Sequence, residues 1–250
     1  MNIKFCDNEL FLELKKQSFA RFQFGSFLHG TMNKDSDIDY IYLYKKNECF
    51  NDLIEIDRCL HYKDPNDHLF FEISDFVDKL KNGGSNVLFE LIHHYKIKED
   101  NNLNFLYKNK EKFYNYNNIK AYLGMARRDI KEYKKTNINK KIYHAFRSTI
   151  FAENLYLNNF NIDISSNDKL FNKLESIKDS GLDRNEVDKL SNRVSRLRKI
   201  INQDLNNQSI IQGVNKSFEE ELTDFVNNLP VCQLNLRPEL NDLFIKKYYS

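Results

Sequence analysis

The sequence has little of what marks a disulfide-stapled, zinc-binding or redox domain. Its four cysteines are Cys6, Cys49, Cys59 and Cys232, and no two of them form a CxxC pair. A zinc site or redox motif built on such pairs is therefore unsupported. Scattered cysteines of this kind fit free thiols in a reducing compartment.

Long apolar runs are also missing. No stretch approaches the roughly 18–20 consecutive apolar residues that a membrane span requires. The segment MNIKFCDNELFLELKK carries several acids and no small-residue cleavage site, so we expect no signal peptide. The chain is poor in Gly and Ala and rich in Asn, Lys and Ile, which is typical of an AT-rich genome. We therefore expect a bacterial protein, or a viral protein in its host, in the cytoplasm and without a membrane partner.

Charged residues of both signs are plentiful, but they are distributed unevenly along the chain. Residues 1–100 carry 13 Lys and Arg against 18 Asp and Glu, a net charge of −5. Residues 101–250 carry 25 against 18, a net charge of +7. A basic half can face an anionic partner, and surfaces also vary in charge without a function. The 250 residues suffice for one large domain or two small ones.

Periodicity divides the chain into two kinds of segment. Alternation and β-branched or aromatic residues predict strands over 19–24, 37–44 and 67–73, and Pro65 predicts a loop over 61–67. Apolar spacing predicts helices over 8–18, 50–60, 74–81, 86–95, 118–135, 138–158, 184–203, 217–229 and 239–248. Ser85 is the expected N-cap of the fourth of these helices. We predict a domain at 1–100 containing the strands and an all-helical domain at 101–250.

The helix predicted at 184–203 has a heptad-like apolar seam. Its members, at spacings of three and four, are Val187, Leu190, Val194, Leu197 and Ile201. An internal packing seam and a homodimer contact through 187–201 both fit this pattern. The same helix carries a basic cluster, which fits either a nucleic-acid patch or a solvated face. The cluster comprises Arg193, Arg196, Arg198 and Lys199.

The stretch FGSFLHGTMNKDSDIDYIYLY, residues 24–44, carries the strongest chemical signal. If the strand includes both acids, Asp37 and Asp39 project to the same side, because side chains alternate along a strand. The same alternation puts Tyr40, Tyr42 and Tyr44 on the opposite side. Two neighbouring carboxylates repel each other, and a hard cation such as Mg²⁺ or Mn²⁺ removes that repulsion.

A glycine-serine pair precedes these acids by about a dozen residues. Gly25 allows the backbone to approach an anion closely, and Ser26 adds a hydroxyl at a helical turn that closes at Gly30. The spacing G-S-x3-G-x6-D-x-D thus joins an anion site to a metal site. A nucleoside triphosphate with Mg²⁺ is the ligand that fits both.

GSFLHGTMNKDSDID resembles the signature of the DNA polymerase β-type nucleotidyltransferase superfamily. DHLFFEISDFVDKLKNGGSNVLFELI and KKIYHAFRSTIFAENLYL resemble a subgroup of predicted nucleotidyltransferases, some of them linked to RNA repair. The resemblance covers about residues 20–160. It implies an α+β fold, with a small mixed β-sheet nucleotidyltransferase core, flanking helices and an all-helical C-terminal domain.

The resemblance also implies roles. Ser26 and the backbone around Gly25 would hold the β- and γ-phosphates, and Asp37 and Asp39 would bind metal. A third carboxylate would activate the acceptor hydroxyl or complete a second metal site. Asp67 is favoured for this role, and for metal binding, over its alternative, Glu72, which lies at a strand-to-helix edge.

Cations from the basic half complete the expected site. Lys141 and Arg147 match the subgroup's later helix and would reach triphosphate oxygens, although solvated charges fit them equally. Two positions depart from the family pattern: Phe27 stands where an Arg is common, and Gly84-Ser85-Asn86 stands where Asn-Pro is common. Loss of that Arg affects the expected triphosphate affinity and leaves the acids untouched.

The expected activity is transfer of an NMP from an NTP to an acceptor hydroxyl, dependent on Mg²⁺ or Mn²⁺, with release of pyrophosphate. An RNA end is favoured as acceptor over a protein side chain or a small molecule. One alternative is a non-catalytic module that binds a nucleotide or partner on the same fold. The other is an antitoxin-like or structural protein that oligomerises through 187–201.

Overall fold

The chain divides into two compact units. The computed structural model describes residues 4–5, 8–32, 34, 36–45, 59–63, 66–206 and 214–231. The first unit comprises Met1–Phe24, Asp37–Val77 and Glu221–Ser250, and the second comprises Gly25–Ser36 and Asp78–Glu220. These limits differ from the predicted division at residue 100, because the second unit takes in the glycine-serine loop and the helices that follow residue 78.

A five-stranded mixed sheet forms the core of the first unit. Its strands are β1 (Lys4–Phe5), β2 (Ala20–Gln23), β3 (Tyr40–Tyr44), β4 (Cys59–Lys63) and β5 (Asp67–Glu72). They lie in the order β1-β4-β5-β3-β2. β3 runs parallel to β5, and β1 parallel to β4, while the β2–β3 and β4–β5 pairs are antiparallel. The predicted α+β class is confirmed.

Aromatic side chains fix one face of this sheet. Tyr42 stacks on Phe70 with ring centroids 4.6 Å apart, and Tyr40 stacks on His68 at 5.5 Å. Phe11, from helix α1 (Asn8–Gln17), contacts Phe70 edge-on at 5.8 Å. α1 therefore covers the tyrosine face, as the alternation along β3 predicts.

Three sequence predictions in this unit are corrected. The strand predicted over 37–44 begins only at Tyr40, so the two acids precede it. Residues 61–63 of the predicted loop belong to β4, because Leu60 and Tyr62 pair with Phe70 and His68 of β5. Cys59 and Leu60, the last two residues of the helix predicted over 50–60, also belong to β4. Pro65 follows β4 rather than excluding it. Residues 50–58 of one predicted helix, and all of the helix predicted at 239–248, lie outside the described residues.

Most of the remaining described chain is helical. The helices are α2 (Ile73–Lys81), α3 (Asn86–His93), α4 (Tyr95–Glu99), α5 (Asn104–Lys108), α6 (Tyr116–Thr136), α7 (Asn139–Tyr156), α8 (Asp168–Ser180), α9 (Arg184–Asn206) and α10 (Lys216–Asn227), with a short 3₁₀ helix at Lys110–Phe113. The N-cap prediction at Ser85 is confirmed, since its hydroxyl accepts the Leu88 amide at 3.5 Å. Within the described ranges, no helix combines the length and hydrophobicity needed to cross a membrane.

The apolar seam of α9 packs inside the second unit. Val187, Leu190, Val194 and Ile201 are buried, and α9 contacts α6 and α7. Leu197, the fifth member of the seam, is half-buried. Of the basic residues of the same helix, Arg193 forms a two-pronged ion pair with Glu153 of α7.

Candidate active site

Parallel pairing of β3 with β5 places two acidic positions side by side. Tyr40 is the register partner of His68, and Asp39 and Asp67 each stand one residue earlier. Neighbouring strands lie roughly 4.8 Å apart. The Asp67 amide donates to Oδ1 of Asp39 at 3.1 Å, so the two chain segments remain in register beyond the end of β3.

Asp37 lies two residues further from the sheet. Its side chain is exposed, and the amide of the intervening Ile38 donates to Oδ1 of Asn66 at 3.3 Å. Here side-chain acceptors replace the backbone ladder, which explains why β3 starts after the acids rather than before them. Asp39 is more enclosed and is anchored on both sides, because its carbonyl also accepts the Phe24 amide at 3.1 Å.

Asp67 has basic neighbours that sequence reasoning missed. His61 Nε2 lies 2.8 Å from Oδ1 of Asp67, and Lys63 Nζ lies 3.9 Å from the same oxygen. Both come from β4, the strand that the loop prediction overlooked. The alternation of Leu60 and Tyr62 with polar residues was the sequence pattern that could have predicted this strand. These neighbours balance part of the charge that Asp67 adds beside Asp39.

Glu72 lies at the other end of β5. Its register partner is Tyr44, and five residues of strand, about 16 Å at 3.3 Å per residue, separate it from Asp67. Its Oε2 accepts the amides of Ser74 at 2.8 Å and Asp75 at 3.3 Å, which caps the first turn of α2. Glu72 therefore caps helix α2. The residue that lies beside Asp39 is Asp67, not Glu72.

The acids suit a hard divalent cation in part. Mg²⁺ is usually held by one or two carboxylates plus waters and substrate phosphates. Asp39 and Asp67 supply two such carboxylates at adjoining positions. Among the described residues, no group of three His, Cys, Asp or Glu side chains converges to form a closed metal cage. The donor set thus fits a cation whose remaining ligands come from substrate and solvent.

The glycine-serine loop belongs to the second unit. Gly25 has a φ of 70° and Gly30 a φ of 67°, in the left-handed region that glycine adopts readily. The Ser26 carbonyl accepts the amides of His29 at 3.3 Å and Thr31 at 3.0 Å, which confirms the predicted turn. A Cβ on Gly30 would meet Oγ of Ser165 at 2.7 Å, so this position also lacks room for a side chain.

A buried polar chain anchors this loop. Arg147 Nη1 lies 2.9 Å from Nδ1 of His29, and Nε2 of His29 lies 3.0 Å from Oε2 of Glu90. The Tyr122 hydroxyl donates to the other oxygen of Glu90 at 2.9 Å. His29, Glu90 and Tyr122 are buried, while Arg147 is half-buried. Side chains from three helices, α3, α6 and α7, are therefore linked to His29 of the loop, directly or through Glu90.

The protonation states follow from this environment. Burial and the nearby Arg147 lower the pKa of His29, which favours the neutral ring. Burial opposes ionisation of Glu90, but its contacts with His29, Arg147 and Tyr122 outweigh that effect and lower its pKa. A neutral His29 can accept from Arg147 at Nδ1 and donate to Glu90 at Nε2. The chain then runs from a cation, through a neutral ring, to an anion.

Two predicted phosphate-binding cations lie near one histidine of the second unit. Burial, followed by the charges of Arg147, Lys140 and Lys141 together with His29, lowers the pKa of His144 to about 3. Burial is the main cause of this shift, and the cations of α7 add a positive potential around His144. It places Lys141 and Arg147 in one electropositive region, and Arg147 reaches the glycine-serine loop through His29.

Comparison with known proteins agrees with these features. The sequence model of a family described as the RNA repair pathway DNA polymerase beta family matches residues 19–246. The chain belongs to this family. No curated protein and no solved structure matched it. The resemblance expected from residues 24–44 and 67–92 is confirmed, and the match extends to residues 160–246, which the sequence resemblance did not reach.

The polymerase β-type loop of this chain departs from the family pattern at Phe27, where an Arg is common. In the structure, the Phe27 ring packs on His94, with centroids 5.2 Å apart. Arg147 supplies a guanidinium within hydrogen-bond distance of His29, two residues further along the same loop. The loop thus retains a neighbouring cation that comes from α7 rather than from its own sequence.

Glu90→Ala is expected to lower the free energy of unfolding of this polymerase β-type protein by about 3 kcal/mol. Removal of one member of a buried charged network leaves its partners, here His29 and Tyr122, without compensation. Urea denaturation at pH 7 measures the change. Glu99→Ala is the matched control, because its ion pair with Lys96 is exposed and is worth well under about 1 kcal/mol. Equal effects of the two substitutions would contradict a stabilising role for the network.

Proposed function

We propose that the chain is a Mg²⁺- or Mn²⁺-dependent nucleotidyltransferase that transfers an NMP from an NTP to an acceptor hydroxyl. Membership of a polymerase β family linked to RNA repair supports this reaction class. The observation that carries the proposal is the hydrogen bond from the Asp67 backbone amide to the Asp39 carboxylate, which holds these two acidic residues at adjoining positions at the ends of parallel strands. Such a pair suits a metal ion that also binds substrate phosphates.

Each residue has a role in the proposed reaction. Asp39 and Asp67, with Asp37, would hold the cation, which polarises phosphoryl oxygens when bound. Asp67 would accept the proton of the attacking hydroxyl. The acceptor oxygen forms a bond to the α-phosphorus as the bond to the β-phosphate oxygen breaks, and pyrophosphate leaves. Ser26 and the Gly25 backbone would bind the β- and γ-phosphates, as the sequence motif implies.

Cations of the second unit support a polyphosphate ligand. Burial is the main cause of the lowered pKa of His144, and the charges of Arg147, Lys140 and Lys141 add to it, while Arg147 also lies beside the ring of His29. Phosphate oxygens are the chemistry that such a cluster, together with a glycine-serine loop, would recognise. We favour an RNA end as acceptor, over a protein side chain or a small molecule, because of the RNA repair description of the family.

Transfer of label from α-³²P-NTPs to RNA, with Mg²⁺ or Mn²⁺, tests the proposal. We expect incorporation from at least one NTP, with release of pyrophosphate and complete loss of incorporation in EDTA. Bulk protein replaces RNA in a parallel reaction. No incorporation with either metal and any of the four NTPs, or incorporation that survives EDTA, would overturn the proposal. NTP binding without transfer would instead support a non-catalytic module on the same fold.

A further inference from the structure

A basic groove lies between α6 and α9 in the second unit. It encloses about 570 Å³. Ile130 and Val194 form its buried floor, and Ser191 and Ser195 lie along the α9 side. The cations that line it are Arg127, Lys131, Lys134, Lys135 and Arg198. In the described part of the chain, no acid and no aromatic side chain belongs to this lining.

Most of these cations are not neutralised within the chain. Lys134 pairs with Asp188 at 2.7 Å. Among the described residues, Arg127, Lys131, Lys135 and Arg198 form no ion pair, and all four are exposed. Four uncompensated cations around one groove create a local positive potential that attracts a polyanion.

The spacing of the cations favours a linear polyanion. Arg127, Lys131 and Lys135 recur every four residues along α6, which puts successive charges about 6 Å apart on one helix face. An extended nucleic-acid strand presents its phosphates at a similar interval. The Ser191 hydroxyl of α9 adds a neutral donor of the kind that contacts phosphates, while the Ser195 hydroxyl donates to the Ser191 carbonyl at 3.0 Å.

We infer that this groove, which we call the α6–α9 groove, binds the phosphate backbone of single-stranded RNA. The identity of the ligand rests on the proposed function, in which RNA supplies the acceptor hydroxyl. Because no aromatic side chain lines the groove, bases do not stack in it, and binding has little sequence preference. The sequence-derived cluster on α9 contributes only Arg198, and α6 supplies the other cations.

Fluorescence anisotropy of a labelled 12-nucleotide RNA, without NTP or metal, tests the inference. For four phosphate contacts, the slope of log K against log salt is about −3. The double substitution Arg127→Ala/Lys131→Ala should halve this slope and weaken binding about tenfold at 0.15 M salt. Poly-U and poly-A should bind with affinities within about threefold of each other.

The matched control is Lys98→Ala/Lys169→Ala, which removes the same charge from exposed positions on α4 and α8. It should retain wild-type affinity and slope. Equal RNA affinity of the groove variant and the wild type, or equal loss in the control, would overturn the inference. Groove-dependent binding of phosphatidylserine vesicles or polyglutamate that is tighter than RNA binding would also overturn it.

The same variants separate this inference from the proposed function. In transfer reactions, the groove variant should raise KM for RNA and leave KM for NTP unchanged. Complete absence of transfer in the wild type would defeat the proposed function, while the anisotropy result would still decide the groove. Transfer with an unchanged KM for RNA in the groove variant would defeat the groove and preserve the proposed function.

Discussion

Asp39→Asn is expected to lower the rate of nucleotidyl transfer by about 10³-fold, equivalent to about 4 kcal/mol of transition-state stabilisation. The asparagine carbonyl can still accept the Asp67 amide, so the hydrogen bond that aligns the two segments persists. What is lost is one negative charge at the proposed metal site. Rate measurements with labelled NTP at saturating Mg²⁺ give the effect directly.

Asp67→Asn should cause a loss of similar size, and Glu72→Gln is its matched control. Glutamine keeps an oxygen that can accept the Ser74 and Asp75 amides at the start of α2, so the fold is preserved. We expect Glu72→Gln to retain transfer within about threefold of the wild type, since Glu72 lies about 16 Å along β5 from Asp67. Urea denaturation should give all three variants the stability of the wild type.

The opposite result for these two variants would show that Glu72, rather than Asp67, is the third carboxylate of the site. If Glu72→Gln lost transfer and Asp67→Asn kept it, the pairing of Asp39 with Asp67 would be structural rather than catalytic. If Asp39→Asn kept transfer within about tenfold of the wild type, metal binding by this pair would be rejected altogether, because a single removed ligand charge is worth more than that.

The acids and the glycine-serine loop were predictable because each signal is local. Gly25, Ser26, Asp37 and Asp39 lie within fifteen residues, and their spacing carries the information. The sequence favours Asp67 over Glu72, but which of the two lies beside Asp39 depends on strand register, which the sequence does not show. A parallel pair in which Tyr40 faces His68 puts Asp67 beside Asp39, whereas a shift of several residues along β5 would bring Glu72 there.

Contacts between distant segments explain what sequence reasoning missed. His29 and Glu90 are 61 residues apart, and neither segment indicates the other. The ring of His29 also bonds to Arg147, 118 residues away. The basic stripe of α6 has helical spacing and was visible in the sequence. Recognising these cations as one side of a groove required knowing that α9 lies alongside α6.

Acidification from pH 6.5 to pH 4.5 is expected to lower the free energy of unfolding by about 4–5 kcal/mol through two histidines alone. Burial lowers the pKa of His93 to about 3, and burial with neighbouring cations does the same for His144. Each ring stays neutral in the folded chain and binds a proton only after unfolding. Each therefore contributes a slope of about 1.4 kcal/mol per pH unit below its ordinary pKa of about 6.5.

The substitution His93→Phe removes the contribution of one histidine to the pH dependence of the unfolding free energy. The His93 ring packs on Phe89, Tyr114 and Phe160; its Nδ1 lies 2.8 Å from the Phe89 carbonyl oxygen, and its buried Nε2 has no hydrogen-bond partner among the described residues. Phenylalanine has a similar shape and no titrating nitrogen, so stability at pH 7 should change by less than about 1 kcal/mol.

Between pH 6.5 and 4.5, the pH dependence of the unfolding free energy should become shallower by about 1.4 kcal/mol per unit in His93→Phe. Urea denaturation at three pH values measures this slope. Phe160→Leu disturbs the same aromatic cluster without removing a proton site, so it should destabilise the chain by a similar amount at every pH. If the wild type and His93→Phe lost stability in parallel, His93 would be protonated in the folded state. Acid sensitivity would then come from other groups, such as His144, or Glu90, whose lowered pKa gives the same sign at lower pH.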